Sequence, residues 1–95
     1  MRTPLTEEEV LARIAQIPQW EAEGNGRLTR KFVFRDHIEA MGFVTRVAMV
    51  AESLDHHPDL RIVYDRVEIV LWTHDAGGVT TRDFTLASRI DKLLA

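Results

Sequence analysis

Hydrophobic residues recur at helical spacing in the first part of the chain. After Thr6, apolar residues return every three or four positions until Pro18, which interrupts a helix; they are Val10, Leu11, Ile14 and Ile17. Thr6 is followed three positions later by Glu9, which is the pattern of a capping box. These residues predict a helix that begins just after Thr6 and ends before Pro18.

A longer periodic segment runs from Asp36, which can cap a helix, to about Leu54. Two apolar stripes follow helical spacing along it: Ile38, Met41, Val44, Ala48 and Ala51 form one, and Phe43, Val47, Val50 and Leu54 form the other. Together the stripes cover more than half of the helix circumference, whereas a helix that packs on a sheet buries one. The other stripe must be covered by a second helix of the chain or by a partner subunit. We favour a partner subunit.

A β-hairpin is predicted between these two helical segments. Gly24-Asn25-Gly26 is a strong turn signal, because glycine and asparagine tolerate positive φ angles. The turn would join strands at residues 20–23 and 28–34. The faces of the second strand are ambiguous in the sequence, and we group Leu28, Lys31 and Val33 on one side and Thr29, Phe32 and Phe34 on the other.

A second pair of strands is predicted after the long helix. Residues 67–74 alternate between Val67, Ile69, Leu71 and Thr73 on one face and Glu68, Val70, Trp72 and His74 on the other. We pair this strand with residues 61–64 through a tight connection at Asp65-Arg66. After a turn at residues 75–78, Thr80-Thr81-Arg82-Asp83 opens a last helix, which carries Phe84, Leu86, Ala87, Ile90, Leu93 and Leu94.

The order of these segments is helix, two strands, helix, two strands, helix. It predicts an α+β fold of order α-β-β-α-β-β-α, in which a four-stranded antiparallel sheet has its helices packed on one face. A chain of 95 residues has room for one domain, which we assign to residues 1–95. A domain of this size has a small core, so an uncovered apolar helix face also favours association with another subunit.

Composition narrows the classes of function. The chain has no cysteine, which excludes disulfides, a thiolate nucleophile and zinc bound by cysteine. Its formal net charge of −3 argues against a general nucleic-acid-binding protein. No apolar run approaches the roughly 18 residues of a membrane-spanning helix, and no signal-peptide pattern precedes the first helix. We therefore expect a cytoplasmic protein that binds neither nucleic acid nor a membrane.

The candidate chemistry lies in the histidines. His37, near the start of the long helix, is best interpreted as a surface residue, whereas His56-His57-Pro58 directly follows the end of that helix. Proline restricts the residue before it to non-helical geometry, and imidazole exchanges protons near neutral pH. Loop histidines without chemistry are the alternative. We expect no metal site, because adjacent histidines rarely bind one ion together and the nearby acidic residues lack a familiar ligand spacing.

The spacing of a longer motif, from Glu52 to Asp83, is more specific than the His56-His57-Pro58 tripeptide. From Glu52 the chain continues with three residues, His56-His57-Pro58, five residues, Tyr64, nine residues, His74, eight residues and Asp83. This arrangement resembles the pterin-4a-carbinolamine dehydratase family. The resemblance covers residues 20–90, and the segments that carry it are FVTRVAMVAESLDHHPD, YDRVEIVLWTH and TTRDFTLASRID.

The resemblance implies roles for individual residues. His56, His57 and His74 would line a pterin pocket and handle protons during loss of the 4a-hydroxyl group. We expect His56 and His74 to be the proton-handling pair and His57 to position the ring. Four further residues would bind the substrate or support the histidines: Glu52, Asp55, Pro58 and Asp83. Asp83 also lies three residues after Thr80, where it could complete a helix cap. Vertebrate members commonly have tryptophan where this chain has Leu60, so stacking on the pterin from that position is lost.

The implied activity is dehydration of 4a-hydroxytetrahydrobiopterin, or a related pterin, to quinonoid dihydropterin and water. It would recycle tetrahydropterin for an aromatic amino-acid hydroxylase, without a metal or organic cofactor, in a homodimer or homotetramer. The alternative is a non-catalytic protein-binding or assembly module, either a dimerisation cofactor or a pterin-related chaperone. Three positioned imidazoles favour the enzyme, because an interaction protein does not need them.

Overall fold

The computed structural model describes residues 3–94, and its first helix, α1, spans Glu7–Ile14. The predicted capping box is present: the Glu9 amide donates to Thr6 Oγ1 over 3.1 Å, and the Thr6 amide donates to Glu9 Oε1 over 2.9 Å. The backbone hydrogen bond from Thr6, with a further contribution from the Thr6 side chain, lowers the pKa of the Glu9 carboxyl below its ordinary value. This local pairing fixes where α1 begins.

Four antiparallel strands form one sheet in the order β1-β2-β4-β3. The strands are β1 (Glu21–Glu23), β2 (Arg27–Val33), β3 (Asp59–Val63) and β4 (Arg66–Leu71). Long helices α2 (His37–Leu54) and α3 (Thr81–Lys92) complete the predicted element order. The α+β architecture, with helices on one face of the sheet, is confirmed.

The predicted grouping of side chains on β2 is wrong. Leu28 and Phe32 are both buried beneath the helices, whereas Lys31 and Val33 are exposed on the opposite face. A regular strand places residues two apart on the same side, so Leu28 cannot share a face with Lys31. Leu28 pairs with Leu71 of β4, and this register buries both side chains.

The connection between β3 and β4 is one residue earlier than predicted. Val63 pairs with Arg66, so Arg66 already belongs to β4 and the two-residue turn is Tyr64-Asp65. Tyr64 has a φ angle of 53°, a left-handed conformation that tight hairpin turns require and that a tyrosine rarely adopts.

The two apolar stripes of α2 are divided differently from the prediction. The face of α2 that enters the core consists of Ala40, Phe43, Val47 and Ala51. Ile38 remains 83% exposed and Met49 68% exposed, so the side of α2 that faces away from the sheet is apolar and uncovered within the chain. Ala51, which we predicted to share a stripe with Ile38 and Met41, belongs to the core, because it lies four positions after Val47 and therefore on the same face of the helix.

The core is continuous between the sheet and the helices. Among residues 3–94, sixteen buried hydrophobic residues form it: Val10, Ile17, Trp20, Leu28, Phe32, Ala40, Phe43, Val47, Ala51, Val67, Ile69, Leu71, Val79, Leu86, Ala87 and Ile90. At one end of this core lie buried polar side chains that include His56, Thr73 and Asp83. None of the helices among residues 3–94 is long and apolar enough to cross a membrane.

Candidate functional site

The histidine loop begins where α2 ends. Asp55 caps the helix with a φ angle of 49°, a left-handed conformation that aspartate tolerates better than most residues. The amide of His56 then donates to the carbonyl of Ala51 over 3.1 Å, which ties the loop to the last helical turn. Pro58 follows, and β3 starts immediately after it. The reversal at Asp55 sends the two adjacent imidazoles into different surroundings.

His56 is directed into the protein and pairs with Asp83. Its side chain is 8% exposed, and its Nε2 atom lies 2.5 Å from Oδ1 of Asp83. Asp83 is fully buried in the first turn of α3, and its other oxygen, Oδ2, accepts hydrogen bonds from Thr73 Oγ1 and from the Thr80 amide, both over 2.9 Å. The carboxylate of Asp83 therefore joins the histidine loop, the end of β4 and the start of α3.

The predicted helix cap at Asp83 is confirmed by the same geometry. The hydrogen bond from the Thr80 amide to Oδ2 is half of a capping box at the start of α3. Capping uses Oδ2 and leaves Oδ1 for His56. The two interpretations of Asp83, as a helix cap and as a partner of the histidines, are therefore both satisfied by one carboxylate.

His57 is directed outward, toward solvent. Its Nε2 atom lies 2.8 Å from Oε1 of Glu52 on the last turn of α2, but the two side chains are 57% and 81% exposed. An exposed pair of this kind is screened by water and contributes little to stability. Glu52 can orient the ring of His57, which remains open to a ligand.

His74 lies on a short 3₁₀ turn, His74–Ala76, that follows β4. Its ring is exposed and packs against Trp72 with a distance of 4.0 Å between ring centroids. The turn is closed by Gly77 at a φ of 73° and by pairing of Thr73 with Gly78. Thr73, next to His74 in the chain, donates to Asp83, so the His74 backbone directly follows the buried network while its ring lies outside that network.

A small cleft adjoins His56. It has a volume of about 130 Å³ and lies between the end of α2 and the first turns of α3, lined by Leu54, His56, Thr81, Arg82 and Thr85. Arg82 borders it with a guanidinium group that donates to the carbonyl of Asp55 over 2.6 Å. The volume is below the roughly 300–1,000 Å³ typical of sites that enclose a ligand, so the cleft can hold one part of a ring system.

A second, larger groove lies on the solvent-facing side of the sheet. This outer-face groove has a volume of about 410 Å³ and is bordered by the cationic side chains Lys31, Arg61 and Arg66. No histidine lines it. We place the candidate site at the smaller cleft, because a buried Asp–His pair borders it. Within residues 3–94, no three histidine or acidic side chains are grouped so that they could hold a metal ion.

Two residues of the buried network were not among the sequence candidates. Thr73 and Thr80 are buried, and their hydroxyl groups lie 2.7 Å apart beside Asp83. The sequence did contain a signal for Thr73, because it is a polar residue on the face that Val67, Ile69 and Leu71 direct into the core. Leu60, in contrast, lies on β3 opposite Ile69 and contributes no polar group.

Comparison with known proteins gives a consistent set of matches. A family model described as pterin 4 alpha carbinolamine dehydratase matches residues 3–93. A relative from Rhodopseudomonas palustris strain BisB18 is 51% identical over 92 residues, which are 96% of this chain and 91% of the relative. One from Picosynechococcus sp. strain PCC 7002 is 45% identical over 93 residues, 98% of this chain and all of the relative. The provisional name of both is pterin-4-alpha-carbinolamine dehydratase.

Solved structures show the same fold. A transcriptional coactivator/pterin dehydratase from Brucella melitensis superposes with a TM-score of 0.91 at 35% identity, over 98% of this chain and 100% of that chain. A pterin dehydratase-like protein, described as a RuBisCO assembly factor in the alpha-carboxysome, has a TM-score of 0.68 at 22% identity. That second match covers 79% of this chain and 88% of the other, and it shows similarity of fold alone.

Proposed function

The chain belongs to the pterin 4 alpha carbinolamine dehydratase family, and on this basis we propose that it converts a 4a-hydroxytetrahydropterin to quinonoid dihydropterin and water. The observation that carries the proposal is the pairing of His56 with the buried carboxylate of Asp83 beside an open cleft. Burying a carboxylate costs free energy unless it is hydrogen-bonded. A histidine that merely occupied a surface loop would not be expected to face a buried carboxylate.

The reaction requires two proton transfers. The hydroxyl group on C4a leaves as water after it accepts a proton, and the lone pair of N5 forms the C4a=N5 double bond as N5 loses its own proton. An imidazolium supplies the first proton and a neutral imidazole accepts the second, an assistance worth about 10² to 10⁴ in rate. Because the electron pair comes from the pterin itself, the step needs no metal or organic cofactor.

We assign the two proton transfers to His56 and His74. Nε2 of His56 contacts the buried carboxylate of Asp83, and His74 is exposed on a turn that directly follows Thr73, which donates to the same carboxylate. His57, whose ring is open to solvent and is contacted by Glu52, positions the pterin. Asp55 and Pro58 support this arrangement by setting the direction of the loop.

The assignment is tested by following dehydration of 4a-hydroxytetrahydropterin by absorbance. His56→Gln and His74→Gln are each expected to lower kcat by about 10²-fold or more. His37→Gln is the matched control, because His37 is an exposed histidine at the start of α2 whose Nδ1 atom is hydrogen-bonded to the carbonyl of Tyr64. Unchanged rates for both site variants, or an equal loss in the control, would overturn the assignment.

The uncovered face of α2 supports a proposal about assembly. Ile38 and Met49 are largely exposed on a helix whose other side is in the core, so we propose that a second copy covers this face in a homodimer or homotetramer. The same face favours the alternative function, a non-catalytic binding or assembly module. That alternative predicts no dehydration above the spontaneous rate.

The biological setting follows from the proposed reaction. Its product returns to tetrahydropterin after reduction, so the proposed dehydratase would act beside an aromatic amino-acid hydroxylase that releases the 4a-hydroxy compound. We propose the cytoplasm as its location. A gene for such a hydroxylase next to this one would support the link.

A further inference from the structure

We propose that Thr73 is a positioning residue: together with Thr80 it holds the Asp83 carboxylate so that the proton of His56 stays on Nε2 and Nδ1 is the nitrogen that meets the substrate. Only one part of this inference, that Nδ1 of His56 meets the substrate, rests on the proposed function. The protonation pattern itself is a property of the folded chain and can be measured without any reaction.

The hydrogen bonds around Asp83 form a chain with one direction. Oδ2 of Asp83 is 2.9 Å from Thr73 Oγ1, which is 2.7 Å from Thr80 Oγ1. Thr80 Oγ1 in turn accepts from the amide of Arg82 over 3.3 Å. An ionised carboxylate can only accept, so Thr73 donates its hydroxyl proton to Asp83. Thr80 must then donate to Thr73, and the amide of Arg82 is the fixed donor at the start of the chain.

The donors to Asp83 fix which of its two oxygens faces His56. The amide of Thr80 also points at Oδ2, and it cannot reverse its direction because a backbone N–H only donates. Two donors therefore converge on Oδ2 of a fully buried side chain. Oδ1 is left as an acceptor, and the atom that faces it is Nε2 of His56, which must therefore carry a proton.

The other ring nitrogen of His56 is the open one. In the described part of the chain every buried side-chain nitrogen or oxygen has a hydrogen-bond partner, and the structure gives Nδ1 of His56 none. Nδ1 therefore reaches solvent, and His56 lines the small cleft beside Arg82. With Nε2 held by Asp83, the nitrogen that exchanges protons with a ligand is Nδ1.

Thr73 is suited to this role because it acts at two places. Its hydroxyl orients the carboxylate that binds His56, and its backbone directly precedes His74. Removal of the hydroxyl leaves Oδ2 with one donor and leaves the Thr80 hydroxyl without its acceptor. We expect the carboxylate to pivot and the short contact to His56 to lengthen.

The test is nuclear magnetic resonance of the histidine rings in the full chain. In the wild type, long-range proton–nitrogen correlations of the neutral imidazole should show Nε2 of His56 protonated and Nδ1 unprotonated. The Nε2 proton should resonate at low field and exchange slowly with water. A wild-type spectrum with the proton on Nδ1 overturns the proposal without any variant.

Two variants isolate the hydroxyl group. Thr73→Val has nearly the same shape without the hydroxyl, and we expect the low-field resonance to broaden and move upfield, with kcat falling about 10- to 100-fold, as when a residue that orients a functional histidine is lost. KM should change little. Thr73→Ser restores the hydroxyl and should restore both the low-field resonance and kcat. An unaltered low-field resonance in Thr73→Val overturns the positioning role. If the protein proves to have no dehydratase activity, the resonance still decides the inference.

Discussion

Replacement of Asp83 by asparagine is the sharpest perturbation of the site. The amide keeps the shape of the carboxylate but turns one of its oxygens into a donor. Because the Thr80 amide cannot reverse its direction, the remaining oxygen is expected to stay on the Oδ2 side, where Thr73 and Thr80 donate. The NH₂ group then faces Nε2 of His56, which must accept, so the ring proton moves to Nδ1.

The size of the effect follows from the contacts that change. One charge-assisted hydrogen bond in a fully buried site is replaced by a neutral one, which is expected to lower the free energy of unfolding by about 1–3 kcal/mol. For catalysis, the same substitution in a serine protease triad lowers kcat about 10⁴-fold because the histidine adopts the wrong tautomer. Because the tautomer change places the ring proton of His56 on the wrong nitrogen, we expect a loss of at least about 10²-fold in Asp83→Asn.

The assay combines kcat from the absorbance change with urea unfolding and the ring spectrum of His56. Asp91→Asn is the matched control, because Asp91 lies on the same helix and accepts hydrogen bonds from Trp20 Nε1 over 2.8 Å and Arg30 Nη1 over 2.6 Å. It should lose comparable stability but keep its kcat. If Asp83→Asn retained wild-type kcat with the His56 proton still on Nε2, the reasoning would be refuted.

Three further predictions concern the fold and its assembly. Phe43→Ala should lower the free energy of unfolding, measured in urea, by about 3–5 kcal/mol. The ring of Phe43 is fully buried, and its centroid lies 4.8 and 4.9 Å from those of Phe32 and Phe34. A loss below about 1 kcal/mol would contradict the packing. Ile38→Lys combined with Met49→Lys should lower the mass measured by light scattering without changing the circular dichroism, whereas Leu11→Lys on α1 should not; an unchanged mass would remove the case for self-association through α2. The pKa of the Glu9 carboxyl, followed by nuclear magnetic resonance, should lie below 4.5. The contribution of this group to stability is then present above its ordinary pKa and lost as the pH falls through the lowered pKa. A midpoint at or above 4.5 would contradict the cap.

The features that the sequence predicted well are local. Thr6 with Glu9 and Thr80 with Asp83 are three residues apart, and each pair forms the predicted cap. Asp36, predicted as a cap, accepts from the amide of Glu39. Such pairings form whenever the helix forms, because the donors are the unpaired amides of its first turn. The element order therefore followed from the sequence with small errors at the ends.

The features that the sequence predicted poorly depend on distant partners. On α2, periodicity showed two apolar stripes but could not show that Ala40 and Ala51 join Phe43 and Val47 in the core, because that depends on how closely the helix approaches the sheet. On β2, the buried face became clear only from its pairing with β4. Periodicity identifies an apolar face, and packing decides which one is buried.

The candidate site shows the same division. The spaced motif indicated His56 and Asp83 as members of one site, but their contact spans 27 positions and required the folded chain. Thr73 belongs to no spaced motif, and only the folded structure places its hydroxyl within hydrogen-bond distance of Asp83. Polar residues at core-facing positions of strands are therefore useful candidates when a buried acid lies nearby.

Our main proposal is that His56, His57 and His74 bind one pterin together. It is tested most directly by titrating an isotope-labelled protein with a 7,8-dihydropterin, which lacks the 4a-hydroxyl group and cannot react. We predict that the ring resonances of the three histidines shift together with a single Kd, while those of His37 stay in place. Shifts that instead appear in the outer-face groove, or at His37 alone, or at no histidine, would contradict the account.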